Sequence, residues 1–186
     1  MKNYPFYPSE KILEMICKDK DEKPIPQFTY FPTDLSDKAE DTLTCSFLAG
    51  ITSQLEESYC LYNPDNKYTK EINREKLLLV NEALKNSLNH HFITTKPVIL
   101  GLFIGELGAC YGFKDPGNFF KSKEIKKIFE SKIEIKENQL VSHKQESIGL
   151  GVNCYIYPSS DLIEVDTKKG VLYCVQLLKT LYSEQI

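Results

Sequence analysis

The sequence predicts a mainly α (α+β) chain: a single-domain helical bundle around a central glycine-striped helix, with a small β element of two or three short strands in the C-terminal third. Three observations predict it. Gly101, Gly105, Gly108 and Gly112 lie four, three and four residues apart inside the most apolar stretch, Pro97 to Phe113, so a helix would set all four on one face. Two further segments carry apolar residues at helical spacing behind capping residues. Alternation with a period of two emerges only beyond residue 132. The length, 186 residues, suits one well-cored domain spanning 1–186.

Taken in order, Pro8-Ser9-Glu10 opens a helix to about Lys20. Ser9 is its cap, Glu10 suits the positive end of the dipole, and Ile12, Leu13, Met15 and Ile16 form the apolar side. Residues 21–33 hold Pro24, Pro26 and Pro32 with Phe28, Tyr30 and Phe31, an extended segment lying over the core through its aromatics. Thr33 or Asp34 begins a long helix to about Leu61, with Leu43, Phe47, Leu48, Ile51 and Leu55 inward. Asn63-Pro64-Asp65-Asn66 is a turn, and Thr69 caps a helix from Lys70 to about His90 through Ile72, Leu77, Val80, Leu84 and Leu88.

Thr95-Lys96-Pro97 then reads as the start of the glycine-striped helix. Lys114-Asp115-Pro116-Gly117-Asn118 ends it, and Asn118 caps a helix from Phe119 to about Lys132. Ile133 and Ile135, Val152, Cys154 and Ile156, and Leu162-Ile163-Glu164-Val165 alternate as short strands, with Pro158-Ser159-Ser160-Asp161 as a turn between two of them. Lys169 to Glu184 closes the fold as an amphipathic helix, striped by Val171, Val175, Leu178 and Tyr182. Each glycine in a helix interior costs about 1 kcal/mol relative to alanine. Close approach of another backbone must offset that, and the long helix from Asp34 to Leu61 is the expected neighbour.

Composition narrows the function. The N-terminus, Met1-Lys2-Asn3-Tyr4-Pro5, has no apolar signal core, which leads to an expected cytoplasmic location. The apolar run at 97–113 is shorter than a membrane span needs and holds Glu106, so no membrane association is expected. Six cysteines, Cys17, Cys45, Cys60, Cys110, Cys154 and Cys174, include no C-x-x-C, so a zinc site is not expected and free thiols are. Arg74 is the only arginine among 23 basic residues, which removes the bidentate fork favoured for phosphate and guanine, and nucleic-acid binding is disfavoured. Ile148-Gly149-Leu150-Gly151-Val152 lacks the third glycine of a dinucleotide fingerprint and no phosphate-loop lysine follows, so no cofactor is expected. His90 and His91 point apart on a helix and suit its carbonyl end better than a metal. Lys121, Lys123, Lys126 and Lys127 read as a solvated face interleaved by Glu124 and Glu130.

Two function classes remain. Cys45, His143 and Asp161 or Asp166 follow the chain order Cys, His, Asp of papain-like cysteine hydrolases or effectors. Against it, Cys45 lies too deep in its helix for the dipole to activate it, and Glu40 and Asp41 would raise its pKa. The favoured reading is a protein-binding protein. Residues 1–66 hold 12 acids against 6 lysines, whereas residues 67–186 hold 14 acids against 17 bases. Asp34, Asp37, Glu40, Asp41, Glu56 and Glu57 stand at the two ends of one helix, with Tyr59 and Tyr62 beside them. Such a surface suits capture of a basic protein, because charge complementarity speeds association and aromatic anchors slow dissociation. An immunity-type inhibitor of a basic bacterial toxin, for example a nuclease, has that chemistry.

Overall fold

The computed structural model describes residues 4–33, 37–62, 68–89, 96–117, 119–123, 125–126 and 155–184, with backbone alone at 37–41, 60–62, 68–70, 89 and 183–184. Along the chain the elements are α1 (Glu10–Ile16), β1 (Gln27–Phe31), α2 (Asp37–Tyr62), β2 (Tyr68–Ile72), α3 (Arg74–Asn89), β3 (Val98–Gly105) and β4 (Gly108–Lys114). A 3-10 turn at Phe119–Lys121 follows, then β5 (Leu162–Asp166), β6 (Val171–Leu177), α4 (Leu178–Leu181) and β7 (Tyr182–Glu184). The frame is a five-stranded sheet in the order β1-β3-β4-β6-β5, antiparallel throughout, and β2 pairs with β7 in a separate two-stranded ribbon.

The fold is therefore α+β built on a sheet, and the expected helical bundle is overturned. The glycine-striped segment is no helix but the β3–β4 hairpin at the middle of that sheet. Its register sets Gly101 opposite Gly112 and Gly105 opposite Gly108, with Glu106 and Leu107 as the connecting residues. Spacing of four, three and four is symmetric about the point between those two residues, so it satisfies a two-residue hairpin as well as a helix face. The expected closing helix is likewise β6, one helical turn and β7. Residues 171–176 are all buried because helices or loops cover both faces of β6, and a strand buried on both sides loses its period of two.

Alternation along the strands divides the side chains between two layers. On one face lie Gly101, Phe103 and Gly105 of β3, Gly108, Cys110 and Gly112 of β4, and Val171, Tyr173 and Val175 of β6; Phe6, Ile12, Ile16 and Cys17 of the N-terminal segment cover them. The opposite face carries Val98, Leu100, Leu102, Tyr111, Phe113, Leu172 and Cys174, and packs on Ile51, Leu55 and Tyr59 of α2 and Leu77, Val80, Ala83 and Leu84 of α3.

The glycines thus admit the N-terminal segment, and the expected close neighbour α2 lies on the other side of the sheet. A methyl at Gly101 or Gly112 would sit 2.8 or 2.5 Å from Cε2 of Phe6, whose ring rests on that pair. A methyl at Gly105 would collide with the Ile16 carbonyl, and one at Gly108 with the Gln176 carbonyl. Hydrogen bonds tie the segment to the sheet: Leu107 N–H donates to Ile16 O (2.7 Å), Tyr173 Oη to Tyr7 O (3.0 Å) and Lys114 Nζ to Pro5 O (3.3 Å), while Tyr7 Oη donates to Pro24 O (2.8 Å) within it.

Ser9 stands at the head of α1 but makes no side-chain cap; its hydroxyl instead donates to Glu164 (3.2 Å). Thr69 lies within β2, and Asn73 starts α3 by accepting from Glu75 N–H through its side chain (3.1 Å) and from Lys76 N–H through its carbonyl (2.9 Å). The buried Asp115 carboxylate organises the turn after β4, accepting from Gly117 N–H (2.8 Å) and Phe119 N–H (3.0 Å). Leu162–Asp166 is a strand as the alternation implies, while Ile156 sits in a helical turn. Asn118, Ile133, Ile135, Val152 and Cys154 lie outside the described residues.

Candidate functional site

α2 turns one stripe inward and leaves the other bare. Ile51, Leu55 and Tyr59 are buried, and the Phe47 ring meets Phe31 of β1 edge-on at 5.1 Å between centroids. Facing solvent are Leu43, Cys45, Ser46, Ala49, Gly50, Ser53 and Glu57. Ser46, Gly50, Ser53 and Glu57 follow at i, i+4, i+7 and i+11, so the small residues form a continuous shallow stripe. A methyl at Gly50 would meet nothing within 4 Å. This glycine weakens the helix with no internal packing to explain it.

The stretch Thr42 to Leu55 carries no charge, and acids bracket it: Asp37, Glu40 and Asp41 in the first turns of α2, Glu56 and Glu57 near its end. Glu57 is exposed and Glu56 half-buried; at Asp37, Glu40, Asp41 and Tyr62 only the helical backbone is described, and Asp34 lies outside the described residues. Tyr59 corrects the expected set. It is only 3% exposed, with its ring edge-on to Tyr182 at 6.0 Å, so it belongs to the core and not to a partner-facing surface. The bare stripe between the acids escaped the sequence reading, although Gly50 in an uncharged run of small residues was its signal.

Of the residues of the hydrolase reading, Cys45, Asp161 and Asp166 are described. Cys45 is exposed on α2, well inside the helix. His143, like His90, His91 and the Gly149–Gly151 segment, lies outside the described residues. Asp161 accepts from Leu177 N–H through its carboxylate (2.8 Å) while its own N–H donates to Val175 O (2.8 Å), which closes the β5–β6 register. Asp166 accepts from the N–H groups of Lys168 and Lys169 (both 3.0 Å) in the turn that Gly170 completes at φ +66°. Burial opposes ionisation of Asp166, but these bonds and the Lys169 ammonium at 3.2 Å outweigh it and hold its pKa below the ordinary value.

A second group of carboxylates gathers at the β3–β4 turn. Glu22, in the loop between α1 and β1, has its pKa raised by partial burial, then by Glu106 and by Asp19. Glu106 and Cys110 stand in the turn and on β4 rather than one helical turn apart. Lys18, Lys20 and Lys23 interleave with these acids, and Lys20 reaches Glu14 at 3.6 Å. Among the described residues no set of three or more His, Cys, Asp or Glu side chains is arranged to hold a metal ion, and no helix is long and apolar enough to cross a membrane.

The helix-facing layer of the sheet contains buried polar groups. Gln176 Nε2 donates to Lys76 O (2.8 Å) and Ser159 O (2.7 Å), joining β6 to the start of α3 and to the loop before β5. Its Oε1 and the Tyr111 hydroxyl, both fully enclosed, have no hydrogen-bond partner among the described residues. Compared with protein-family models, with curated proteins and with solved structures, the chain matches no family, no curated protein and no solved structure.

Proposed function

We propose that the chain is a cytoplasmic protein-binding domain that captures a basic protein through the outward face of α2, in the manner of an immunity-type inhibitor of a cationic toxin. The observation that carries this reading is the bare stripe of Ser46, Ala49, Gly50 and Ser53, bracketed by acids at both ends of one helix. Small side chains let a partner approach the helix backbone closely. The flanking carboxylates attract a cationic surface from a distance and reject an acidic one. Gly50, about 1 kcal/mol worse than alanine for the isolated helix, has a use if an incoming side chain fills the space above it.

Capture from lysate of the source cell, with the full chain as bait, is expected to recover a basic protein in stoichiometric amount. Reversal of Asp37, Glu40, Asp41, Glu56 and Glu57 to lysine should then weaken capture, most at low salt. Gly50→Gln should weaken it at every salt concentration while raising the melting temperature. Affinity unchanged by both sets of variants would remove α2 from the interface and sink the reading.

A further inference from the structure

The sheet ends at β1, which pairs with β3 on one side and with no other strand among the described residues. Natural edges are guarded by charged side chains, by proline or by shortness. This one is short and flanked by prolines but bears no charge: Pro24 to Thr33 contains no charged residue, although 26% of the chain is charged. Ile25 (76%) and Tyr30 (53%) are also the two most exposed large hydrophobic residues described. One lies in β1 and the other two residues before it.

The strand is close to a palindrome. Reading outward from Thr29 in Pro26-Gln27-Phe28-Thr29-Tyr30-Phe31-Pro32, an aromatic stands on each side, then Gln27 and Phe31, then a proline at each end. An interface between two identical copies about a two-fold axis requires such self-complementarity, since residue i meets j wherever j meets i. Two β1 strands laid antiparallel with Thr29 on the axis set Tyr30 of each against Phe28 of the other. Phe28 and Tyr30 lie on the same face of the sheet, opposite Gly101 and Ile99 of β3. Aromatic cross-strand pairs are among the contacts that stabilise antiparallel strands. Pro26 and Pro32 meet each other across the axis and stop the ladder at both ends, because neither has an N–H to donate.

We infer that β1 is a self-association edge, through which two copies join their five-stranded sheets into one continuous ten-stranded sheet. Charge selects this occupant. The chain is acidic overall, at −3, so two copies meet with least repulsion along a strand that bears no charge, whereas a basic partner gains nothing from it. A ladder of five residues per copy is short, so the dimer forms and dissociates with concentration.

The test is sedimentation velocity or multi-angle light scattering on the full chain, from low micromolar to several hundred micromolar. A concentration-dependent dimer is expected. Tyr30→Lys and Thr29→Lys, which remove the aromatic pair and set two lysines together on the axis, should each raise its dissociation constant about tenfold or more. Circular dichroism and melting temperature report whether each variant keeps its fold, and Gln27→Lys, at an exposed position, replaces any that does not. As a positive test, Thr29→Cys in a Cys45→Ser background should oxidise to a covalent dimer linked Cys to Cys at position 29, identified by peptide mapping. A monomer at every concentration overturns the inference. So does a dimer indifferent to all the lysine variants, or a cysteine variant that never crosslinks at position 29.

Discussion

The N–H of Leu107, in the turn of the central hairpin, donates to the carbonyl of Ile16 at the end of α1 over 2.7 Å. This one bond brings the backbone of the N-terminal segment onto the sheet beside Gly105, where no side chain fits. The glycine pattern, the hairpin register and the covering of that face are thus a single arrangement. Each part depends on the close approach of α1.

Gly105→Ala is therefore expected to destabilise the fold by about 2–3 kcal/mol, because the added methyl meets backbone that cannot rotate away. For a chain of this size that is a fall in melting temperature of roughly 4–12 °C. Gly108→Ala, which meets the Gln176 carbonyl, should behave alike. Gly101→Ala should cost less, since its neighbours are the rings of Phe6, Phe28 and Phe103, which can shift. Thermal unfolding of the three variants checks the order, and a Gly105 variant as stable as the parent would show that the end of α1 does not lie against the Gly105 backbone.

The same region shows what was legible in the sequence. α1, α2 and α3 begin or end within a few residues of expectation, because each has apolar residues recurring at helical spacing along its inward stripe. The extended reading of residues 21–33 and the strand at Leu162–Val165 also correspond to elements that occur. The sheet itself was hidden. Val98 to Phe113 and Val171 to Val175 are apolar on both faces, so neither a period of two nor one of 3.6 stands out. The turn Glu106-Leu107 lacks the Asn-Gly or Gly-rich chemistry that announces a hairpin. Enrichment in β-branched and aromatic residues, Val98, Ile99, Phe103, Ile104, Tyr111 and Phe113, was the available clue. For the candidate site, the acids flanking α2 were legible from composition. The inward turn of Tyr59 was not, because it depends on where Tyr182 and the sheet lie.

Glu22 supplies a prediction in pH. Partial burial, Glu106 and Asp19 raise its pKa in the folded state, so the folded chain binds that proton more tightly than the unfolded chain, whose glutamates titrate near about 4.3. A raised carboxyl pKa penalises the fold above the folded value, and the penalty disappears below the unfolded one. Glu22→Gln should accordingly raise the melting temperature at pH 7 and leave it unchanged below about pH 4. A variant less stable than the parent at neutral pH would mean that the Glu22 carboxylate is stabilised by a partner rather than crowded.

The thiols give a chemical readout of the two layers. Burial, followed by Glu22 and Glu106, lifts Cys17 to about 11; burial lifts Cys174 to about 12 against a hydrogen bond with Ser160; and burial followed by Cys174 and Glu164 lifts Cys110 well above its ordinary value. The thiolate is the reactive form, so at neutral pH iodoacetamide should modify Cys45 in the native protein and spare these three until denaturant is added. Peptide mapping resolves the positions. Native labelling of Cys17 as fast as Cys45 would indicate that the N-terminal segment opens from the glycine face.

Tyr111 carries the last prediction. Its ring fills the layer between the sheet and the helices, and its hydroxyl is enclosed without a hydrogen-bond partner among the described residues, while burial pushes its pKa well above the ordinary value. An enclosed hydroxyl loses its hydration on folding, and no hydrogen bond from the described residues compensates. Tyr111→Phe keeps the ring and removes only the stranded oxygen, so it should stabilise the fold by about 1 kcal/mol, a rise of roughly 2–4 °C in melting temperature. Tyr111→Leu separates the two contributions, since it also removes ring volume and should destabilise through the cavity it leaves. If the phenylalanine variant melts below the parent, the hydroxyl is bonded in solution, and the layer between β4 and α3 is wetter than its apolar lining implies.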